Sequence, residues 1–105
     1  EVGDDPADID RSLHILRNAG VFGKIRGMVV GKLTSCEPTA DSEYGEYLPI
    51  TDTILEATRD YDFPILADVD FGHYVPQLTL PVGVRVRLDT EAKSLTVMER
   101  PVRWR

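Results

Sequence analysis

The sequence has too few cysteines for the disulfides typical of secreted proteins, and it lacks the long apolar stretches of membrane proteins. Its single cysteine, Cys36, excludes an internal disulfide and favours a reducing compartment. No apolar run approaches the roughly 20 residues that a membrane-spanning helix needs, and the first residues do not resemble a secretory signal peptide. We therefore expect a cytoplasmic protein without a membrane partner.

Positive charge is also scarce. The formal net charge is −6, whereas nucleic-acid-binding surfaces depend on a basic stripe that neutralises phosphates. Acidic residues crowd the first ten positions without a base among them, and arginines and lysines gather near the end. We interpret this asymmetry as a solvated surface on which the two ends can pair, and we expect no nucleic-acid partner.

Several familiar catalytic motifs are absent as well. The sequence contains no glycine-rich phosphate loop, no paired-cysteine motif and no His-Glu-x-x-His helix. None of its serines stands in the Gly-x-Ser-x-Gly setting of a nucleophile elbow: Ser12, Ser35, Ser42 and Ser94. The chain therefore offers no obvious nucleophile, and we expect neither a metal nor a cofactor.

Length and hydrophobic spacing predict one α/β domain. A chain of 105 residues has room for a single core, which buries roughly 65% of the unfolded surface. Apolar residues at helical spacing predict helices over Pro6–Asn18 and from about Pro49 to Tyr61, separated in part by a surface loop over 34–47. Apolar runs predict strands over 26–33, 63–69, 78–80, 84–88 and 94–98. We expect the first two strands to be buried, parallel and covered by both helices, and the last two to form a C-terminal hairpin.

Two histidines are candidates for proton transfer. His14 lies in the first helix beside its apolar face, which favours a surface or packing role. His73 follows a predicted buried strand, in Asp70-Phe-Gly-His-Tyr-Val-Pro76, and α/β folds place functional groups at the carboxyl ends of such strands. An imidazole with an unperturbed pKa of about 6.5 can take and return a proton near neutral pH. Spacing alone leaves open whether His73 is a general base, with Asp68 or Asp70 to orient it, or a histidine that shapes its loop.

The residues around His73 resemble a known family. The segment Asp68–Gly83, followed by 84–89 and 94–99, closely resembles the C-terminal part of the LD-carboxypeptidases, the serine peptidases of family S66. That family also includes the microcin C self-immunity peptidases. Segments 2–11 and 26–36 are similar to the parts that precede it, so only the loop 37–48 and the tail 103–105 fall outside. Phe-Gly-His with Thr-Leu-Pro-x-Gly after it is specific in combination.

The resemblance implies a swivelling β/β/α domain and a Ser-His-Glu triad in which His73 is the histidine. The serine belongs to an N-terminal nucleophile domain that this chain lacks, and a first residue of Glu1 rather than Met favours an excised piece. In one register the triad glutamate immediately precedes Glu1; in a variant register Glu1 is the triad acid itself. We favour the first register. Tyr74 departs from the threonine or glycine often found after the histidine, which bears on the substrate rather than the triad.

The expected function follows from the resemblance. Residues 1–105 are expected to form the C-terminal domain of a cytoplasmic enzyme that cleaves an amide next to a D-centre in recycled cell-wall peptides. Its expected partners are the missing N-terminal domain, the peptide substrate and a second copy in a homodimer. Two alternatives remain: a peptidase that clears an aminoacyl-nucleotide antibiotic, and a βα interaction module without chemistry.

Overall fold

The computed structural model describes residues 6–33, 36, 49–73 and 75–102. The helices and strands occur in the order α1 (Pro6–Asn18), β1 (Met28–Lys32), α2 (Ile50–Thr58), β2 (Ile65–Gly72), β3 (Val86–Asp89) and β4 (Ser94–Val97). Two helices, a small parallel sheet and an antiparallel hairpin confirm the predicted α/β fold class. The chain divides into two compact units, one of Glu1–Ile25 with Leu33–Asp62 and one of Arg26–Lys32 with Phe63–Arg105.

The first unit contains both helices, which pack against each other. The bounds of α1 are those predicted, because Pro6 suits a first helical turn while Asp8 and Arg17 match the charges at the two helix ends. Helix α2 is shorter than predicted at both ends. The buried apolar residues are Ile9, Phe22, Cys36, Ile50, Ile54 and Ala57. Cys36 is therefore part of the core, although the sequence predicted a surface loop there; the other residues of that loop lie outside the described residues.

Two aromatic rings and one arginine join the helices. The Phe22 and Tyr61 rings meet edge to face, with centroids 5.6 Å apart. The Arg17 guanidinium lies 5.7 Å from the centroid of the Tyr61 ring, donates a hydrogen bond of 3.2 Å to the Ala57 carbonyl and pairs with Asp60. Arg17 thus donates a hydrogen bond to a carbonyl at the end of α2, where no further helical turn supplies a backbone N–H donor.

The second unit begins with the parallel pair β1 and β2, as predicted. Val29 pairs with Leu66, Gly31 with Val69 and Lys32 with Gly72, so β2 uses more residues than β1 between successive pairs. Asp68, with φ at 56°, stands in the first of these register shifts. The expectation of fully buried strands is wrong: every residue of β1 is half-buried, because the sheet of the described residues has two strands. That both helices cover the sheet stays a prediction.

The second unit ends in the antiparallel hairpin of β3 and β4, which confirms the predicted hairpin. The Asp89 carboxylate accepts a hydrogen bond of 3.0 Å from the Ala92 amide in the turn. The predicted strand over 78–80 is wrong, since these residues pair with no strand in the described part of the chain. The Leu78 amide is instead bound by the Asp70 carbonyl, which closes a loop rather than extending a sheet.

Candidate active site

His73 lies at the carboxyl end of β2. That strand ends at Gly72, whose partner in the sheet is Lys32, the last residue of β1. The His73 side chain is exposed, and no hydrogen bond or ion pair within the described residues holds its ring. The carboxyl ends of parallel strands are where α/β folds place functional groups. His73 therefore stands where the sequence predicted it, directly after a strand of the parallel pair, with its side chain exposed.

Gly72 lets β2 approach β1 closely just before His73. Its φ is 118°, a backbone conformation that side chains disfavour, and a Cβ there would lie 3.1 Å from the Lys32 carbonyl oxygen. The residue before the candidate base is thus pressed against the end of the neighbouring strand. A larger residue at this position would be strained in its backbone and would require the Lys32 carbonyl to shift by a few tenths of an ångström.

The loop that carries His73 is closed at its base by two hydrogen bonds. The Leu78 amide donates to the Asp70 carbonyl at 2.6 Å. The Gln77 side-chain amide donates to the Gly72 carbonyl. The Val75–Pro76 peptide bond within the loop is cis. The two hydrogen bonds join the returning end of the loop to the last residues of β2, so His73 leaves the sheet from a fixed base.

The structure does not bring either predicted orienting carboxylate to His73. The Asp70 carboxylate is bound by the Lys32 ammonium, with Nζ and Oδ1 2.5 Å apart. Asp68 is exposed, and among the described residues no hydrogen bond joins it to the imidazole. Neither Lys32 nor Gln77 was identified from the sequence as a residue that contacts β2 near His73. The position of Lys32 at the end of the adjacent parallel strand was a usable signal, whereas nothing marked Gln77.

A cavity of about 380 Å³ lies along β2 in the second unit. Its walls are mainly apolar, with two carboxylates and one ammonium among them: Leu66, Ala67, Asp68, Val69, Asp70, Leu78, Leu80, Lys93 and Leu95. His73 is not among the lining residues, so the cavity borders the strand rather than the candidate base. Across the part of the chain that the structure describes, no group of three or more His, Cys, Asp or Glu residues could hold a metal ion.

His14 has the surface role that the sequence favoured. It is exposed on α1, where its Nδ1 lies 2.9 Å from the Asp10 carbonyl oxygen and 3.2 Å from the Asp10 carboxylate. Both contacts are between residues one helical turn apart, and His14 belongs to the first unit while His73 belongs to the second. Glu1 and Tyr74 lie outside the described residues.

The candidate site thus consists of an exposed imidazole on a closed loop, with no nucleophile held to it within the described residues. A family model for the LD-carboxypeptidase C-terminal domain matches residues 1–88. The chain belongs to that family, which confirms the resemblance seen in the sequence.

Several relatives, among them proteins named as carboxypeptidases and a self-immunity protein, match nearly the whole chain. A Streptomyces coelicolor protein is 31% identical over 101 residues, which are 96% of this chain and 30% of that protein. The microcin C7 self-immunity protein of Escherichia coli is 28% identical over 90% of this chain and 26% of its own length. A Bacillus subtilis protein named as a murein peptide carboxypeptidase is 24% identical over 92% of this chain and 30% of that protein. The chain thus spans less than a third of the length of these relatives.

Solved structures show the same fold. The wild-type microcin C7 self-immunity protein without ligand superposes with a TM-score of 0.83 at 24% identity, over 95% of this chain and 28% of that one. Its complex with aspartyl sulfamoyl adenosine superposes with a TM-score of 0.82, over the same shares of the two chains. These likenesses confirm the α/β architecture. Within the described residues, no helix has both the length and the apolar character needed to cross a bilayer.

Proposed function

We propose that residues 1–105 are the histidine-bearing C-terminal domain of a serine carboxypeptidase that hydrolyses the amide between an L- and a D-amino acid in cell-wall peptides. The observation that carries the proposal is the exposed His73 at the carboxyl end of β2, in a chain of the LD-carboxypeptidase family. A general base must reach the proton it removes, and the exposure of the His73 ring supports this role.

The proposed role of His73 is proton transfer. A serine hydroxyl from another part of the protein attacks the amide carbonyl, and the imidazole accepts the hydroxyl proton. The imidazolium then gives this proton to the leaving amine as the C–N bond breaks, which leaves an acyl-serine. In the second half of the reaction water attacks the acyl-serine while His73 accepts a proton from it. The imidazolium then returns this proton to the serine oxygen as the ester bond breaks and the acyl group leaves as a carboxylic acid. A carboxylate at or next to Glu1 would orient the ring.

The proposal also covers the partners of this domain. The serine would come from a preceding N-terminal domain, and the complete enzyme would act in the cytoplasm on recycled peptides. Val75 and Val82 follow His73 closely in the sequence and are 83% and 97% exposed. Contiguous exposed apolar surface favours association, and the exposure of these two side chains is the observation on which we base both the partner domain and the homodimer.

The decisive test replaces His73 in the full-length protein. His73→Ala is expected to lower the turnover of an LD-tetrapeptide on the order of 10⁴-fold, since loss of a triad member typically has this effect. The melting temperature should hardly change, because the side chain is exposed. The matched control is His14→Ala, the other exposed histidine, which should alter neither quantity. The isolated 105-residue chain should show no hydrolysis above background.

Retention of more than about a tenth of the parent rate by His73→Ala would remove the triad assignment, because a general base contributes far more than this. The preferred function would then be a βα interaction module without chemistry. Rates and thermal melts of the two alanine variants, measured side by side, separate these outcomes.

A second candidate function is cleavage of an aminoacyl-nucleotide antibiotic. Its supporting observation is the set of superposable self-immunity structures, two of which are complexes with aspartyl sulfamoyl adenosine and glutamyl sulfamoyl guanosine. The kcat/KM for an LD-tetrapeptide, compared with that for an aminoacyl adenylate analogue with a cleavable amide, decides between the two. A ratio in favour of the nucleotide would replace the cell-wall substrate and leave the role of His73 intact.

A further inference from the structure

An ion pair ties the ends of β1 and β2 together directly before the candidate base. The Lys32 ammonium and the Asp70 carboxylate lie 2.5 Å apart, with side chains 30% and 42% exposed. Lys32 is also the sheet partner of Gly72. The last residue of β1 therefore contacts β2 through its side chain at Asp70 and through its backbone at Gly72, on the strand that leads into His73.

The same two residues of β2 hold the far end of the loop. The Asp70 carbonyl accepts the Leu78 amide at 2.6 Å, and the Gly72 carbonyl accepts the Gln77 side-chain amide. Asp70 thus connects β1, through its carboxylate, to the returning end of the loop, through its carbonyl. His73 is the first residue inside this closed base.

We propose that Lys32, Asp70 and Gln77 are positioning residues that fix the direction in which His73 leaves the sheet. This inference rests on the proposed role of His73 as the base. Within the described residues, no hydrogen bond or ion pair holds the imidazole, so the contacts at the base of the loop are those that fix where the His73 backbone leaves the sheet. A displacement of about 1 Å at a reacting group can lower a rate about 100-fold.

The first experiment measures the loop without any peptidase activity. Gln77→Met keeps the side-chain length and Lys32→Met shortens the side chain by one atom, and each removes the donor. Both are expected to speed amide hydrogen exchange at Leu78 about tenfold or more in the 105-residue chain. Lys32→Arg should restore slow exchange. The matched control is Glu99→Gln, which removes a carboxylate whose ion pair with Arg85 spans 3.9 Å in the same unit. Unchanged exchange at Leu78 in both methionine variants would overturn the inference.

The second experiment measures catalysis in the full-length protein. Gln77→Met and Lys32→Met should lower kcat about 10- to 100-fold with little change in KM, and Lys32→Arg should recover most of kcat. If Lys32→Met does not fold, Gln77→Met at its exposed position carries the test. Fast exchange at Leu78 with an unchanged kcat, in an enzyme that His73→Ala inactivates, would overturn the positioning role alone. If the full-length enzyme stays active after His73→Ala, both the proposed function and this positioning role are overturned.

Discussion

Gly31 has no room for an added side-chain atom, and Gly31→Ala tests this directly. A Cβ at this position would lie 2.5 Å from the Phe71 carbonyl oxygen and 2.9 Å from a carbon of the Phe71 ring, whereas ordinary contacts begin at 3.4 Å. The nearest atom belongs to the backbone of β2, so it cannot move away by a change of rotamer. The strands must separate next to the Lys32 and Gly72 pair, or the variant must remain strained.

The expected cost is about 1–3 kcal/mol of unfolding free energy, the usual range for an extra methyl group in a close contact. For a domain of this size each kcal/mol lowers the melting temperature by about 4–8 °C. Gly27→Ala is the matched control in the same unit. Its Cβ would meet the Leu88 Cδ2 atom at 2.9 Å, but this is the end of a flexible side chain that can rotate aside. We expect Gly27→Ala to cost less than Gly31→Ala.

Urea denaturation of the 105-residue chain, followed by circular dichroism, measures both variants against the parent. A further control is Gly23→Ala in the first unit, where the nearest atom would be the Gly20 carbonyl oxygen at 3.7 Å. The reasoning is refuted if Gly31→Ala loses less than about 0.5 kcal/mol, the range of ordinary surface substitutions. It is also refuted if Gly27→Ala proves the more destabilising of the two.

Other properties of the chain are expected to respond as follows. Phe22→Ala should lower the unfolding free energy by about 3–5 kcal/mol in a urea titration, because it removes the buried ring that packs against Tyr61 and leaves a cavity. Arg17→Met should cost about 1 kcal/mol through loss of the bond to the Ala57 carbonyl, whereas Arg59→Met, whose ion pair is exposed, should cost at most about 0.5 kcal/mol by the same assay. Analytical ultracentrifugation of the 105-residue chain should detect self-association, since apolar side chains after His73 are exposed; a monomer over a wide concentration range would contradict this.

Local patterns in the sequence located both helices, the parallel pair and the hairpin, although α2 is shorter than predicted at both ends. Proline at the start of α1, charges suited to its ends and apolar residues at helical spacing defined that helix at both ends. The apolar runs located β1 and β2, and two short β-prone segments around a turn defined the hairpin. The prediction of a strand over 78–80 was wrong because three alternating residues do not distinguish a strand from an extended loop whose amide is bound elsewhere.

The sequence by itself therefore determined the helices, the parallel pair, the hairpin and the position of His73 at the end of a strand, because these depend on periodicity and neighbours along the chain. Only the tertiary structure decided which groups hold the loop of His73. The register shifts that pair Lys32 with Gly72, and the ion pair that turns Asp70 toward Lys32 rather than His73, depend on how two distant segments align. Such alignment is set by contacts between strands, such as that of Gly31 with Phe71, which no local pattern records.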